Sequence, residues 1–323
     1  METRTTRRGV PFTSIGFGSA PLGNLFREVT DDEARGAVDA AWDAGIRYFD
    51  TAPHYGIGLA ERRLGAALAG RPRDEYVVST KVGRVLVPSP ETADRQDDNL
   101  FAVPADVRRE WDFSRDGVLR SLEQSLDRLG LDRVDVVYLH DPDRHWEQAS
   151  TTGVAALVEL RDQGVVRAIG VGMNQAEMLA EFVRRTDIDL VMMAGRYTLL
   201  DQRAGADLLP LAEERGIGVI AAGVYNSGIS STVRPEPGAT YDYAPASRET
   251  VARVHAIADV CEEHWVTLPQ AALAFPLRHR AVLSAVLGLR SRSEVRAAVS
   301  AADARVPDAL WADLAARRLI TGS

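Results

Sequence analysis

Short β-branched runs separated by amphipathic helical patterns recur along almost the whole chain, and this alternation constrains the fold more than any other feature. IGFGSA (15–20) is followed by DDEARGAVDAAWDAG, with an acidic first turn, apolar residues at helical spacing and a closing Gly45. The pattern continues through IRYFD (46–50), YVVST (76–80), VDVVYLH (134–140), VVRAIGV (165–171), IDLVMM (188–193), IGVIAA (217–222) and VLSAVLGL (282–289), each with helical sequence behind it. Uniform alternation predicts parallel strands, and eight strand-then-helix units predict an α/β fold, the closed (β/α)8 TIM barrel. An open doubly wound sheet is the alternative. It would need a glycine fingerprint, and GFGSAPLG (16–23) has neither GxGxxG spacing nor a helix opening at once behind it. No linker-like stretch divides the chain, so residues 1–323 are expected to form one domain.

Two stretches break the rhythm. Residues 82–113 lack clear periodicity, and residues 223–246 are rich in Gly, Pro, Ser and Tyr. Both follow a strand C-terminus, and their aromatics, Phe101, Trp111, Phe113, Tyr241 and Tyr243, predict lids rather than solvated tails.

Composition narrows the function classes. The chain is 46% hydrophobic, which suffices for a large core, with no apolar run near membrane-spanning length and no basic-then-apolar leader. A soluble protein is expected. The formal net charge is -8 with neither sign gathered into a block, so nucleic acid and membrane surfaces are not expected partners. A single cysteine, Cys261, excludes an internal disulfide and a thiolate metal cluster, and fits a cytoplasmic location. It lies in a helical pattern and reads as a small core residue.

The strand ends carry the chemistry. In a closed barrel the strand C-termini converge on the face where barrel enzymes work. Strand two ends in Asp50 and leads through GIRYFDTAPHYG to Tyr55, strand three ends in Lys81, and strand four in His140. Singly, each has an ordinary reading: a helix cap, a snorkelling cation, a packed ring, a satisfied core histidine. Together they can move a proton. A phenol with a pKa of about 10 is a poor acid or base near neutrality unless a cation lies beside it. Lys81 is expected to stabilise the phenolate, Asp50 to hold Lys81, and His140 to donate to the same substrate oxygen. No His, Cys, Asp and Glu set has metal-ligand spacing and no GxSxG turn is present, so no metal is expected. What remains is proton transfer at a carbonyl or carbinol oxygen, which needs a hydride partner that side chains cannot supply.

These same residues resemble the aldo-keto reductase family over essentially the whole chain. DTAPHYG matches its D-T-A-x-x-Y-G segment, STK places Lys81, and RSLEQSLDRLGLDRVDVVYLHDPD matches the segment ending in the family's histidine, here His140. The resemblance implies Tyr55 as general acid/base, Lys81 and Asp50 as its tuning pair, His140 as the orienting group, and hydride exchange with C4 of a nicotinamide. It also implies cofactor contacts. Asn174 stands where the family binds the carboxamide, although Met173 replaces the usual serine. Tyr197 stands for stacking on the nicotinamide ring, without the usual glutamine before it. Tyr225, Asn226, Ser227 and Gly228 resemble the pyrophosphate-covering loop, an ordinary Gly/Ser loop being the other reading. Near the last helix, Gly288 and Glu294 stand where NADPH-preferring members carry cations for the 2′-phosphate. A carboxylate there suits a free ribose hydroxyl, which favours NAD, while Arg290 and Arg292 keep NADP open.

Within the family, GFGSAPLGNLFREV, APHYGIGLAERRLG, LHDPD, AGRYTLLDQ and GVYNSGI resemble the D-threo-aldose 1-dehydrogenase or L-fucose dehydrogenase group, wording that pyridoxal 4-dehydrogenases share. Both oxidise a cyclic hemiacetal to a lactone. The implied substrate is a small sugar, with pyridoxal or a general aldehyde or ketone as alternatives. His54, Trp111, Asp141 and Arg196 are candidate substrate contacts, or else salt-bridged and packed rim residues. A cofactor-binding regulatory subunit is the non-enzyme alternative, and the oligomeric state is open.

Overall fold

A computed structural model describes residues 1–321. Eight parallel strands close into a barrel: β1 (Ile15–Gly18), β2 (Tyr48–Asp50), β3 (Val77–Val82), β4 (Val136–His140), β5 (Ala168–Met173), β6 (Leu190–Ala194), β7 (Gly218–Ala222) and β8 (Val282–Gly288). Neighbours in sequence are neighbours in space, and β8 returns to pair with β1. The (β/α)8 barrel expected from the alternation is therefore the architecture observed. Helices surround it, among them Asp31–Asp43, Leu59–Leu68, Arg115–Leu129 and Arg292–Ala302. The first opens with a capping box in which Thr30 and Glu33 each satisfy the other's backbone N–H.

Register decides what meets at the mouth. Asp50 lies opposite Ser79 between β2 and β3, Lys81 opposite Tyr138 between β3 and β4, and His140 opposite Gly172 between β4 and β5. Three charged or titratable residues at adjacent strand ends thus share one rim. The turn carrying Tyr55 is pressed against the loop after β1. A Cβ on Gly23 would lie 2.6 Å from the Tyr55 carbonyl carbon, and one on Gly56 2.3 Å from the Gly23 oxygen. Gly56 also has φ +58°, so both positions require glycine.

The structure adds elements that the sequence pattern did not separate. Thr3–Thr5 and Pro11–Thr13 form an antiparallel hairpin whose Val10 and Phe12 are fully buried, with Phe12 edge-on to Tyr48 at 4.6 Å. They pack with barrel residues of β2 to β8 such as Val136, Leu190 and Ile220, filling the barrel interior. Three-residue strands are too short for a period of two to show. The aperiodic stretch 82–113 contains a second hairpin, Arg84–Pro88 with Val107–Trp111, in which Arg84 faces Trp111. Of its aromatics, Phe101 and Phe113 are buried anchors, whereas Trp111 stays partly exposed. Residues 223–246 are mostly turns with one minimal pairing, Thr240–Tyr241 with Ala244–Pro245. Among the described residues no helix is long and apolar enough to cross a membrane. Cys261 is fully buried, and burial pushes its thiol up to about 12.

Candidate active site

Lys81 is the hub of the rim. Its Nζ donates to Asp50 Oδ2 at 2.7 Å, to the Thr51 carbonyl at 3.0 Å and to Tyr55 Oη at 3.1 Å. All three ammonium protons are thereby directed. Ser79 Oγ donates to the other Asp50 oxygen at 2.7 Å, and Tyr48 hydrogen-bonds to Ser79 at 3.0 Å. Asp50 and Lys81 are each only 2% exposed, so their attraction is little screened. Burial alone would lower the Lys81 pKa, yet Asp50 and Tyr55 raise it above its ordinary value, so Lys81 is a cation across the neutral range. Burial pushes the Asp50 carboxyl upward, against the pull of Lys81 and Ser79.

Tyr55 behaves differently from the sequence expectation. Burial pushes its phenol up to about 12; the lowering by Lys81 is smaller, and Asp50 works against it. Burial of the phenol is the leading cause, and Lys81, which is shared with Asp50, offsets only part of it. His140 faces Tyr55 with ring centroids 5.9 Å apart at 85°, and burial, with Arg84, Lys81, His54 and Arg109 around it, holds its imidazole well below the ordinary range. It is neutral at pH 7 and can donate one hydrogen bond. His54 packs 5.5 Å from His140 and is likewise neutral, pushed down to about 2 chiefly by burial. Among the described residues the Nδ1 atoms of both rings are buried without a partner.

A cavity of about 280 Å³ has Trp111, Asn174 and Asp141, the residue that follows His140, in its wall. Three of the expected substrate and cofactor residues therefore share one space. Arg84 and His145 line it too, and neither stood out in the sequence. Arg84 forms an ion pair with Asp141 and lies 4.5 Å from the Trp111 ring centroid, and His145 stacks on Trp111 at 5.1 Å. The signal that could have found Arg84 is the five-residue match of RVLVP with VRREW, which pairs it with Trp111. Arg109, also passed over, bridges Asp97 and the His54 carbonyl and so ties the hairpin to the Tyr55 turn.

The remaining candidates are placed as follows. Arg196 is a bridged rim residue: it binds the Asn174 carbonyl at 3.1 Å and Asp242 at 3.0 Å. Tyr197 and Tyr225 pack between the barrel and the outer helices, Tyr197 5.0 Å from Phe275. Asn226 is buried with Nδ2 on the Gly195 carbonyl at 3.4 Å, while Ser227 accepts the Tyr243 N–H at 3.0 Å. Gly288 is exposed at the end of β8. Glu294 accepts the Arg290 N–H at 2.9 Å and lies 3.6 Å from the Arg290 guanidinium, in the first turn of helix Arg292–Ala302. Arg292 turns away toward Asp39 at 3.7 Å.

These features fit a dinucleotide. Among the described residues the Asn226 Oδ1 and Ser230 Oγ atoms are buried without partners, and a Cβ on Gly228 would meet only Ser231 Oγ, at 3.7 Å, so a ligand can approach that backbone. The comparisons with known proteins agree. The family model described as the Aldo/keto reductase family matches residues 14–317. The chain belongs to the aldo-keto reductases. It is 47% identical to a D-threo-aldose 1-dehydrogenase from a Pseudomonas species, covering 99% of this chain and 98% of that one. It is 38% identical to a pyridoxal 4-dehydrogenase from Microbacterium luteolum, over 98% and 96%. The holo form of an aldo-keto reductase from Bacillus halodurans superposes with TM-score 0.78 and 25% identity, over 100% of this chain and 97% of that one. The protein is thus an oxidoreductase using NAD(P) and acting on a small molecule.

Proposed function

We propose that the protein oxidises the C1 hemiacetal of an aldose of the L-fucose or D-threo type to the lactone, with Tyr55 as the proton acceptor. The observation that carries this reading is the Lys81 hub, which bonds Tyr55 and Asp50 at once while a neutral His140 faces the Tyr55 ring. A bound nicotinamide supplies the hydride acceptor. The chain's own residues handle the oxygen: the C1 hydroxyl proton passes to the Tyr55 phenolate while His140 donates to the same oxygen, which becomes the lactone carbonyl. Lys81 stabilises the phenolate, and Asp50 keeps Lys81 charged and aimed. The sugar assignment is supported by the 47% identity with an aldose dehydrogenase. Pyridoxal, which also forms a cyclic hemiacetal, is the second reading, supported by the 38% relative.

The test is an initial-rate panel of aldoses, pyridoxal and simple aldehydes, followed with NAD and NADP separately. An aldose should give the highest specificity constant. If pyridoxal does, the sugar assignment falls and the hemiacetal chemistry stands. If only open-chain aldehydes react, by reduction, both fall.

NAD is the favoured nucleotide. Asn174, Tyr197, Tyr225, Asn226, Ser227, Gly228, Gly288, Arg290 and Glu294 are the proposed contacts. Glu294 presents a carboxylate at the helix N-terminus and engages Arg290, so a 2′-phosphate would meet repulsion there. Glu294→Arg should shift the specificity ratio toward NADP by about 1–3 kcal/mol, the scale of a charge-assisted hydrogen bond. A wild type already selective for NADP, with a ratio indifferent to residue 294, would contradict the assignment.

A further inference from the structure

The cavity walled by Trp111 and by Asp141, the residue after His140, has a polar lining that the proton chemistry does not use. Arg84 lies one glycine past the end of β3, three residues beyond Lys81, and its guanidinium crosses to Asp141, the residue after His140. One side chain therefore ties together the two strand ends that hold Lys81 and His140. It is 12% exposed, and its Nε is buried without an acceptor among the described residues. A guanidinium carries five N–H donors. Its hydrogen bond from Nη2 to Asp141 leaves further N–H donors on a side chain that lines the cavity, and these are free to serve a ligand's acceptors.

The setting specifies what kind of ligand. Arg84 is backed by the face of Trp111, which is in turn stacked on His145, so the guanidinium plane is held rather than free to swing. Trp111 is 43% exposed and offers an apolar surface beside this row of donors. The charges lining the cavity balance: Arg84 and Arg144 stand against Asp141 and Asp143. Asp141 holds its carboxylate there from a left-handed backbone, φ 44°, a conformation few residues besides Asn and Asp accept. At about 280 Å³ the space lies just below the usual range of ligand pockets, which suits a small ligand. Donors, an apolar face and cancelled charge match a polyhydroxylated ring without an ionised group.

We propose that Arg84, neutralised by Asp141 and backed by Trp111, determines specificity here: it donates to hydroxyls of an uncharged polyol substrate and gives no advantage to a carboxylated or phosphorylated one. This rests on the hemiacetal reading for the identity of the polyol. Asp141 is the positioning residue, since it acts on substrate choice through Arg84. Freed of Asp141, the same guanidinium becomes an anion site.

The experiment compares matched pairs differing in charge, D-galactose with D-galacturonate and glyceraldehyde with glyceraldehyde 3-phosphate, in the full-length enzyme. Asp141→Asn keeps a residue that tolerates the left-handed backbone and should raise the anionic-to-neutral kcat/KM ratio about tenfold or more. Arg84→Met should lower kcat/KM for the polyol about tenfold, mainly through KM, while propanal, which has no hydroxyl to bind, changes little. Arg84→Lys, which keeps the charge but loses the fork, should fall between the two and guards against a fold defect in the methionine variant. A ratio within about twofold of wild type in Asp141→Asn would overturn the proposal. So would equal loss of polyol and propanal activity in both Arg84 variants. If wild type oxidises neither sugar, the hemiacetal reading fails separately, and the glyceraldehyde pair still reports on Arg84.

Discussion

Tyr55→Phe is expected to lower kcat by about 10²–10⁴-fold, the usual contribution of a positioned acid/base group. The ring remains, so its contacts with His140 and Phe101 persist, and only the hydroxyl that receives the Lys81 hydrogen bond is removed. Nucleotide affinity should therefore stay near wild type, and kcat and kcat/KM should fall together. Fluorescence titration with NADH beside steady-state rates separates the two. Near-normal turnover would remove Tyr55 from the mechanism.

Lys81→Met is expected to act through the ionisation of Tyr55. Oxidation needs the phenolate, and burial holds the phenol at about 12, so the phenolate fraction and the oxidative rate should climb with pH throughout the alkaline range. An opposite charge within about 4–6 Å lowers a pKa by about 1–3 units. Removing Lys81 moves the Tyr55 pKa higher still. At any fixed pH below it, the phenolate fraction and the oxidative rate should then drop by about ten- to a thousandfold. Reduction, which uses the protonated phenol, should suffer less. The substitution also leaves Asp50 buried without its cation, a loss of about 3–5 kcal/mol in stability for a broken buried pair. Rate against pH in both directions, beside thermal melting, checks this. An oxidative profile unmoved by the loss of Lys81 would sink the proposed relay.

The barrel and its rim were legible in the sequence because both are encoded locally. Runs such as IRYFD and VDVVYLH announce buried parallel strands, and the residues that end them, Asp50 and His140, fall on the converging face once closure is assumed. Lys81 followed by the same logic. Arg84 did not, because its significance depends on a partner at Trp111 that only a hairpin across residues 89–106 supplies. Phe12 was equally hidden, in a hairpin of three-residue strands whose role is to fill the barrel interior. The upward shift of the Tyr55 phenol is hidden from the sequence for another reason. Sequence shows that a cation is near but not how much of its charge a neighbouring carboxylate takes up, nor how completely the phenol leaves water. Tyr197 and Tyr225 illustrate the converse: a motif positions a residue in the chain, while packing against Phe275 and its neighbours decides where the ring points.

The central claim is that hydride leaves C1 of a cyclic aldose while Tyr55 takes the hydroxyl proton. An aldose deuterated at C1, incubated with the enzyme and NAD and followed by NMR, tests it most directly. The account predicts one lactone per nucleotide reduced, with the deuterium at C4 of the nicotinamide. Deuterium found in water, or no transfer from any hemiacetal tried, would contradict it.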